Sequence, residues 1–119
     1  MLDGTHTGNS GLTAHRVALE AAALALRLAG TIRAPYRSLA DQVVRSASSV
    51  PANLAEGAGR FGRDRRYHWR VAYGSALEVG SHLELLRRVG AIDDGGCREA
   101  IAIFDRVRAM TWRLLNPRR

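Results

Sequence analysis

The 119-residue chain predicts an all-α fold: one domain built as an antiparallel, up-down-up-down four-helix bundle. Three observations carry this reading. Apolar residues recur at spacings of three and four in four separate segments, those segments are parted by short runs of Gly, Pro and Asp, and nothing in the chain carries a strand signal. The bundle is expected over residues 12–115, between a flexible N-terminal tail at 1–11 and a short basic C-terminal tail at 116–119.

The tail mixes Gly, Thr, Asn and Ser without period and ends near a possible cap at Asn9 or Ser10. The first helix is expected from Leu12 to about Ala29. Val17, Ala21, Leu24 and Leu28 form one stripe, and Leu12, Leu19, Ala22, Leu26 and Ala29 form a second, so two faces need cover. That second face suits either a further subunit or the two flanking helices of the same bundle. Gly30 to Tyr36 breaks the pattern, with Gly30 placed for a C-cap and Pro35 for a stop or restart. The second helix spans about Arg37 to Ala58, and Pro51 within it predicts a kink or a stop and restart, with Ser48 or Ser49 bonding released backbone groups. After a turn at 59–63 the third helix runs from Asp64 to about Val89 along Trp69, Ala72, Ala76, Val79, Leu83 and Leu86. Gly74 and Gly80 inside it suggest that another backbone approaches closely, since Gly costs a helix about 1 kcal/mol against Ala. Asp93, Asp94, Gly95 and Gly96 form the next turn, and the aspartates suit the positive end of a fourth helix that starts at Cys97 and follows Ala100, Ile103, Val107, Met110 and Leu114 to about Leu115.

The informative stretch is Gln42 to Arg70. Opposite its apolar row stands a polar row of Gln42, Arg45, Ser49, Asn53, Glu56 and Arg60, and Ser and Asn are weak helix formers that bond locally. The row is read first as an internal hydrogen-bond network bracing Pro51, and next as a subunit interface. Ser75 and Glu78 on the third helix are the nearest partners to look for. Further on, Arg60, Arg63, Arg65, Arg66 and Arg70 come with Phe61, Tyr67, His68 and Trp69, offset only by Asp64. Guanidinium groups pair with phosphate oxygens and aromatic rings stack on unpaired bases, so this cluster is the candidate nucleic-acid contact. Its alternative is a solvated turn with Trp69 in the core.

Charge points the same way. The formal net charge is +7, and all 18 basic residues are Arg, a choice that genome composition alone can produce. The excess favours polyanions or acidic proteins. A single Cys97 fits a reducing cytoplasm and reads as packing, and no leader or membrane-spanning run is visible. Gly57-Ala58-Gly59-Arg60-Phe61-Gly62 spells G-x-G-x-x-G but follows a helix rather than a strand, which argues against dinucleotide binding. His68 and His82 stand about 21 Å apart along one helix and cannot share a metal. Neither Glu78 with Glu84 nor any other grouping supplies a nucleophile, base and orienter, so no catalytic residue, metal or cofactor is expected.

The run Ser49-Val50-Pro51-Ala52-Asn53-Leu54-Ala55-Glu56-Gly57, followed by Arg60 and by Gly74-Ser75 and Glu78, resembles the signature of the four-helix-bundle proteins encoded in 23S rRNA intervening sequences. The same family includes the accessory variability determinant (Avd) of diversity-generating retroelements. The resemblance covers roughly Ala34 to Leu115. It implies a noncatalytic bundle that assembles into a homopentameric ring with a basic surface and, in the Avd branch, binds RNA and a reverse transcriptase. Carried over, the family motif falls on Ser49, Pro51, Asn53, Ala55, Glu56, Gly57, Arg60, Gly74, Ser75 and Glu78. The chain departs from it at Glu78-Val79-Gly80-Ser81, where a second Glu is lacking, and at Arg65 and His68, which replace aromatics. Five copies would gather about +35 on one particle, and their phosphate contacts would reinforce one another. The expected function is an oligomeric, cytoplasmic nucleic-acid-binding adaptor, RNA ahead of DNA. The alternative is a scaffold or protein-interaction module whose arginines serve assembly.

Overall fold

The computed structural model describes the backbone of residues 2–118 and the side chains from Gly11 to Arg118. Four α-helices follow in order: α1 (Leu2–Ala29), α2 (Arg37–Ala58), α3 (Gly62–Arg88) and α4 (Asp94–Leu115). Each packs against its chain neighbours and α1 closes on α4, while the backbones of the diagonal pairs stay apart across the core. Short turns between long helices make the neighbours antiparallel, as the up-down-up-down expectation requires.

The core takes one stripe from each helix. Val43, Val50 and Leu54 of α2 meet Trp69, Val79, Leu83 and Leu86 of α3 and Phe104 and Val107 of α4, all buried. The α1 stripe is mostly alanine, Ala14, Ala18, Ala21 and Ala25, with Val17 and Leu28. Ala22 and Ala29 of its second row are buried too. Leu12, Leu19 and Leu26 of that row stay 66%, 50% and 40% exposed, so the flanking helices do not cover them.

The helix ends follow local chemistry. Asp93 caps α4, its carboxylate accepting from the Gly96 amide at 2.7 Å. Gly90, at φ 70°, supplies the left-handed residue just beyond α3. Gly62, at φ 53°, follows an extended Phe61 and turns the chain into α3, so that helix starts at Gly62 rather than Asp64. Helix α1 begins earlier than Leu12, because the Gly, Thr and Asn run before it has no apolar period to announce a helix. The tail expected at 1–11 and the cap at Asn9 or Ser10 lie outside the described side chains, apart from a buried Gly11.

Of the outcomes expected at Pro51, a stop and restart does not occur: α2 runs unbroken from Arg37 to Ala58 with Pro51 buried inside it. The ring removes one ladder bond, but its burial beside Val50 and Leu54 holds the segment helical on both sides. The nearby hydroxyls answer carbonyls one turn back: Ser46 donates to Gln42 O at 2.9 Å and Ser48 to Val44 O. Gly74 and Gly80 do not admit a neighbouring backbone, since a Cβ at either would meet nothing within 4 Å. Two other glycines do admit close neighbours: at Gly96 a Cβ would fall 2.8 Å from Leu28 Cδ2, and at Gly57 it would fall 2.5 Å from Trp69 Cδ1 and 2.6 Å from its Nε1.

Candidate nucleic-acid interface

The corner between α2 and α3 is built on that contact. Trp69 brings its indole Cδ1 and Nε1 against Gly57, and its N–H reaches Leu54 O at 3.4 Å. Arg65, one turn earlier on α3, then lies over the end of α2, donating to Gly57 O at 3.1 Å and to Ala58 O at 3.0 Å. Its guanidinium carbon sits 5.3 Å from the Trp69 ring centre and 5.7 Å from that of Phe61. A helix leaves its last carbonyls unpaired and carries partial negative charge there, and Arg65 answers both. Arg66 does the same for α4, donating to Leu115 O at 2.6 Å.

The five arginines therefore divide by use. Arg65 and Arg66 tie helix ends together and are partly buried. Arg60 is held on the surface by Glu56 at 2.7 Å and lies 3.9 Å from Asp64. Arg63 and Arg70 are exposed and have no hydrogen bond or ion pair among the described residues. They follow one outward row of α3 with Tyr67, 60% exposed, between them. Phe61, 84% exposed, stands at the head of that row.

Part of the polar row of α2 forms a network that spans Pro51 and reaches across to α3. Ser75 Oγ donates to Ser49 Oγ at 2.9 Å, and Asn53 Nδ2 donates to Ser49 O at 2.9 Å and Ser49 Oγ at 3.1 Å. With its amide nitrogen committed to Ser49, Asn53 presents Oδ1 to His68 Nδ1 at 3.0 Å, so that ring nitrogen carries the proton. Arg45 takes no part; it is exposed and unpaired among the described residues. Glu56 is occupied by Arg60 and Glu78 by His82 at 3.2 Å, so neither joins. The motif residues Ser49, Asn53, Gly57 and Ser75 thus hold α2 on α3.

At the opposite end of α3, Glu84 accepts from Arg87 at 2.6 Å and Arg88 at 3.0 Å, while Asp94 bridges Arg87 at 3.2 Å and Arg98 at 2.8 Å. These hydrogen bonds hold the Glu84 carboxyl down to about 2, and those from Arg98 and Arg87 hold Asp94 below its ordinary value. Cys97 is buried with its thiol on Leu83 O at 3.2 Å, and burial pushes that thiol up rather than activating it. Among the described residues no group of three or more His, Cys, Asp or Glu could hold a metal ion, and no helix is long and apolar enough to cross a membrane.

A second part of this surface escapes a reading by sequence density. The start of α3 lies beside the end of α4, as the Arg66 to Leu115 bond fixes. From Arg65 to Leu77 and from Arg106 to Arg118 the sequence has no acidic residue. Antiparallel packing puts these two stretches together, so one end of the bundle is basic while acids and arginines interleave at the other. An open groove of about 300 Å³ lies here, lined by Tyr73, Arg108, Ala109, Trp112 and Arg113. Counting acids segment by segment, rather than arginines by proximity, would have found it.

A family model described as 23S rRNA-intervening sequence protein matches residues 14–113. A crystal structure from Bacteroides thetaiotaomicron VPI-5482, of a protein of unknown function from the S23 ribosomal protein family, resembles the chain with a TM-score of 0.81. It covers 89% of this chain and 97% of its own at 20% identity, a likeness of fold. Among curated proteins none matches.

Proposed function

Because the chain belongs to the 23S rRNA-intervening sequence protein family, we propose that it is a noncatalytic, oligomeric nucleic-acid-binding adaptor that takes RNA ahead of DNA. One observation carries the reading: Arg63, Tyr67 and Arg70 line an outward row of α3 with both guanidiniums uncommitted among the described residues, on a stretch where Asp64 is the sole acid from Arg63 to Leu77. Such charges attract phosphates and release counterions when they bind. The exposed row of Leu12, Leu19 and Leu26, spaced by sevens on α1, supports assembly into a ring such as a homopentamer, which multiplies each phosphate contact. A reverse transcriptase is the proposed protein partner.

The test is RNA affinity as a function of salt. Replacing Arg63 and Arg70 together by Gln spares the helix ends held by Arg65 and Arg66. The double variant is expected to lower the slope of log affinity against log salt by about 1.4 to 1.8, the loss of two phosphate contacts per bound copy. An unchanged slope with unchanged affinity would move the function to the scaffold reading, in which the arginines serve subunit assembly.

A further inference from the structure

The basic end carries an aromatic ring that neither the core nor phosphate attraction explains. Trp112 is 53% exposed on the last two turns of α4, although a ring of that size normally buries most of its surface. It is not loose. It meets Tyr73 of α3, with ring centres 5.9 Å apart and tilted at 45°, and both rings line the groove. Arg108 and Arg113 line the same groove. Arg108 lies 3.8 Å from Asp105, a long pair that leaves it mostly available, and Arg113 is exposed without a partner among the described residues. Arg70 stands one turn before Tyr73 and one turn after Arg66, on the side of α3 that meets this part of α4.

We propose that Trp112 is a stacking platform for an unpaired base of a single-stranded nucleic acid, whose backbone is held by Arg113 on one side and Arg70 on the other. The proposal rests on the nucleic-acid reading above and adds to it a preference for strands over duplex. A fixed aromatic face between guanidiniums suits a chain that alternates flat bases with phosphates, and every base has a face to stack. Duplex bases are already stacked on one another and offer the ring nothing, while their phosphates still meet Arg63 and Arg70. A protein partner would have to bring both a cover for the ring and carboxylates spaced to meet Arg70, Arg108 and Arg113, whereas a single strand carries a phosphate beside every base.

The test uses the full chain and three labelled probes: a 12-nucleotide single-stranded RNA, its DNA counterpart, and the RNA annealed to its complement. Anisotropy gives the affinities and light scattering the particle mass. Trp112→Ala is expected to weaken both single strands about tenfold, the worth of one base stack, while changing duplex affinity less than about twofold and leaving the mass as it was. Trp112→Phe should retain most of the single-strand affinity. Quenching of tryptophan emission by the strand should vanish in both variants, because the other tryptophan, Trp69, is buried. Equal losses on strand and duplex, no loss on either, or a changed mass would overturn the platform. If Trp112→Ala is silent while the Arg63 and Arg70 double variant binds weakly, only the platform falls. If the native chain binds none of the probes, the adaptor reading falls with it.

Discussion

Gly57 and Arg65 show how much of this surface is decided by single residues. In an open helix, Gly→Ala gains about 1 kcal/mol. At Gly57 the added carbon would fall 2.5 Å from the Trp69 ring and 3.1 Å from Arg65 O, so the indole must leave its seat. Gly57→Ala is therefore expected to destabilise the fold by about 1 to 3 kcal/mol in urea denaturation, whereas Gly74→Ala, facing open space, should stabilise it by about 1. Equal effects at the two positions would show that Trp69 does not rest on Gly57. Arg65 is the counterweight. It resembles its neighbours in sequence, yet its bonds to Gly57 O and Ala58 O make it a structural clamp. Arg66, bonded to Leu115 O, is another. Sequence alone could not separate these two from Arg63 and Arg70, because the carbonyls they serve belong to other helices, and backbone carries no letter.

Among the elements, α2 was legible to the residue, because a clear apolar period meets punctuation at its ends, Tyr36 and Gly59. The end of α4 at Asn116 was legible too, but its start was not: Asp94, Gly95 and Gly96 read as a turn and instead form the first turn of the helix that Asp93 caps. The start of α1 was not legible, since its first turns carry no pattern, and Pro51 left a kink and a stop both open because propensity describes an isolated helix while burial decides a packed one. The Ser49, Asn53 and Ser75 residues were readable as a network, but its partner His68 was not, because histidines are sparse and the pairing spans two helices. The junction of α3 and α4 makes a pH prediction. The folded chain holds Glu84 at about 2 against an ordinary 4.5, so its carboxylate stabilises the fold above about 4.5 and that contribution is lost as the pH falls toward about 2. Asp94, also depressed, acts in the same sense. Glu84→Gln should lower the melting temperature at neutral pH and flatten its decline below pH 4.5. Circular dichroism melts across that window measure it, and high salt should shrink the difference because the pair is exposed.

Across the whole molecule, charge and exposed apolar surface are sorted by place. The N-terminal end of α3 and the C-terminal end of α4 bring together Arg63, Arg70, Arg108 and Arg113 with Phe61, Tyr67 and Trp112, while the far end balances Glu84 and Asp94 against Arg87, Arg88 and Arg98. The exposed Leu12, Leu19 and Leu26 row lies on α1, apart from the arginines and aromatic rings of α3 and α4. Sequence revealed the net charge of +7 but not its polarity along the bundle, which depends on antiparallel packing of segments about forty residues apart. Photocrosslinking of a single-stranded RNA to the full chain, with the adducts mapped by mass spectrometry, reads that polarity directly. Adducts confined to peptides 60–73 and 106–118 are the predicted result, and adducts centred on the Arg33 to Arg45 or Arg87 to Arg98 end would contradict it.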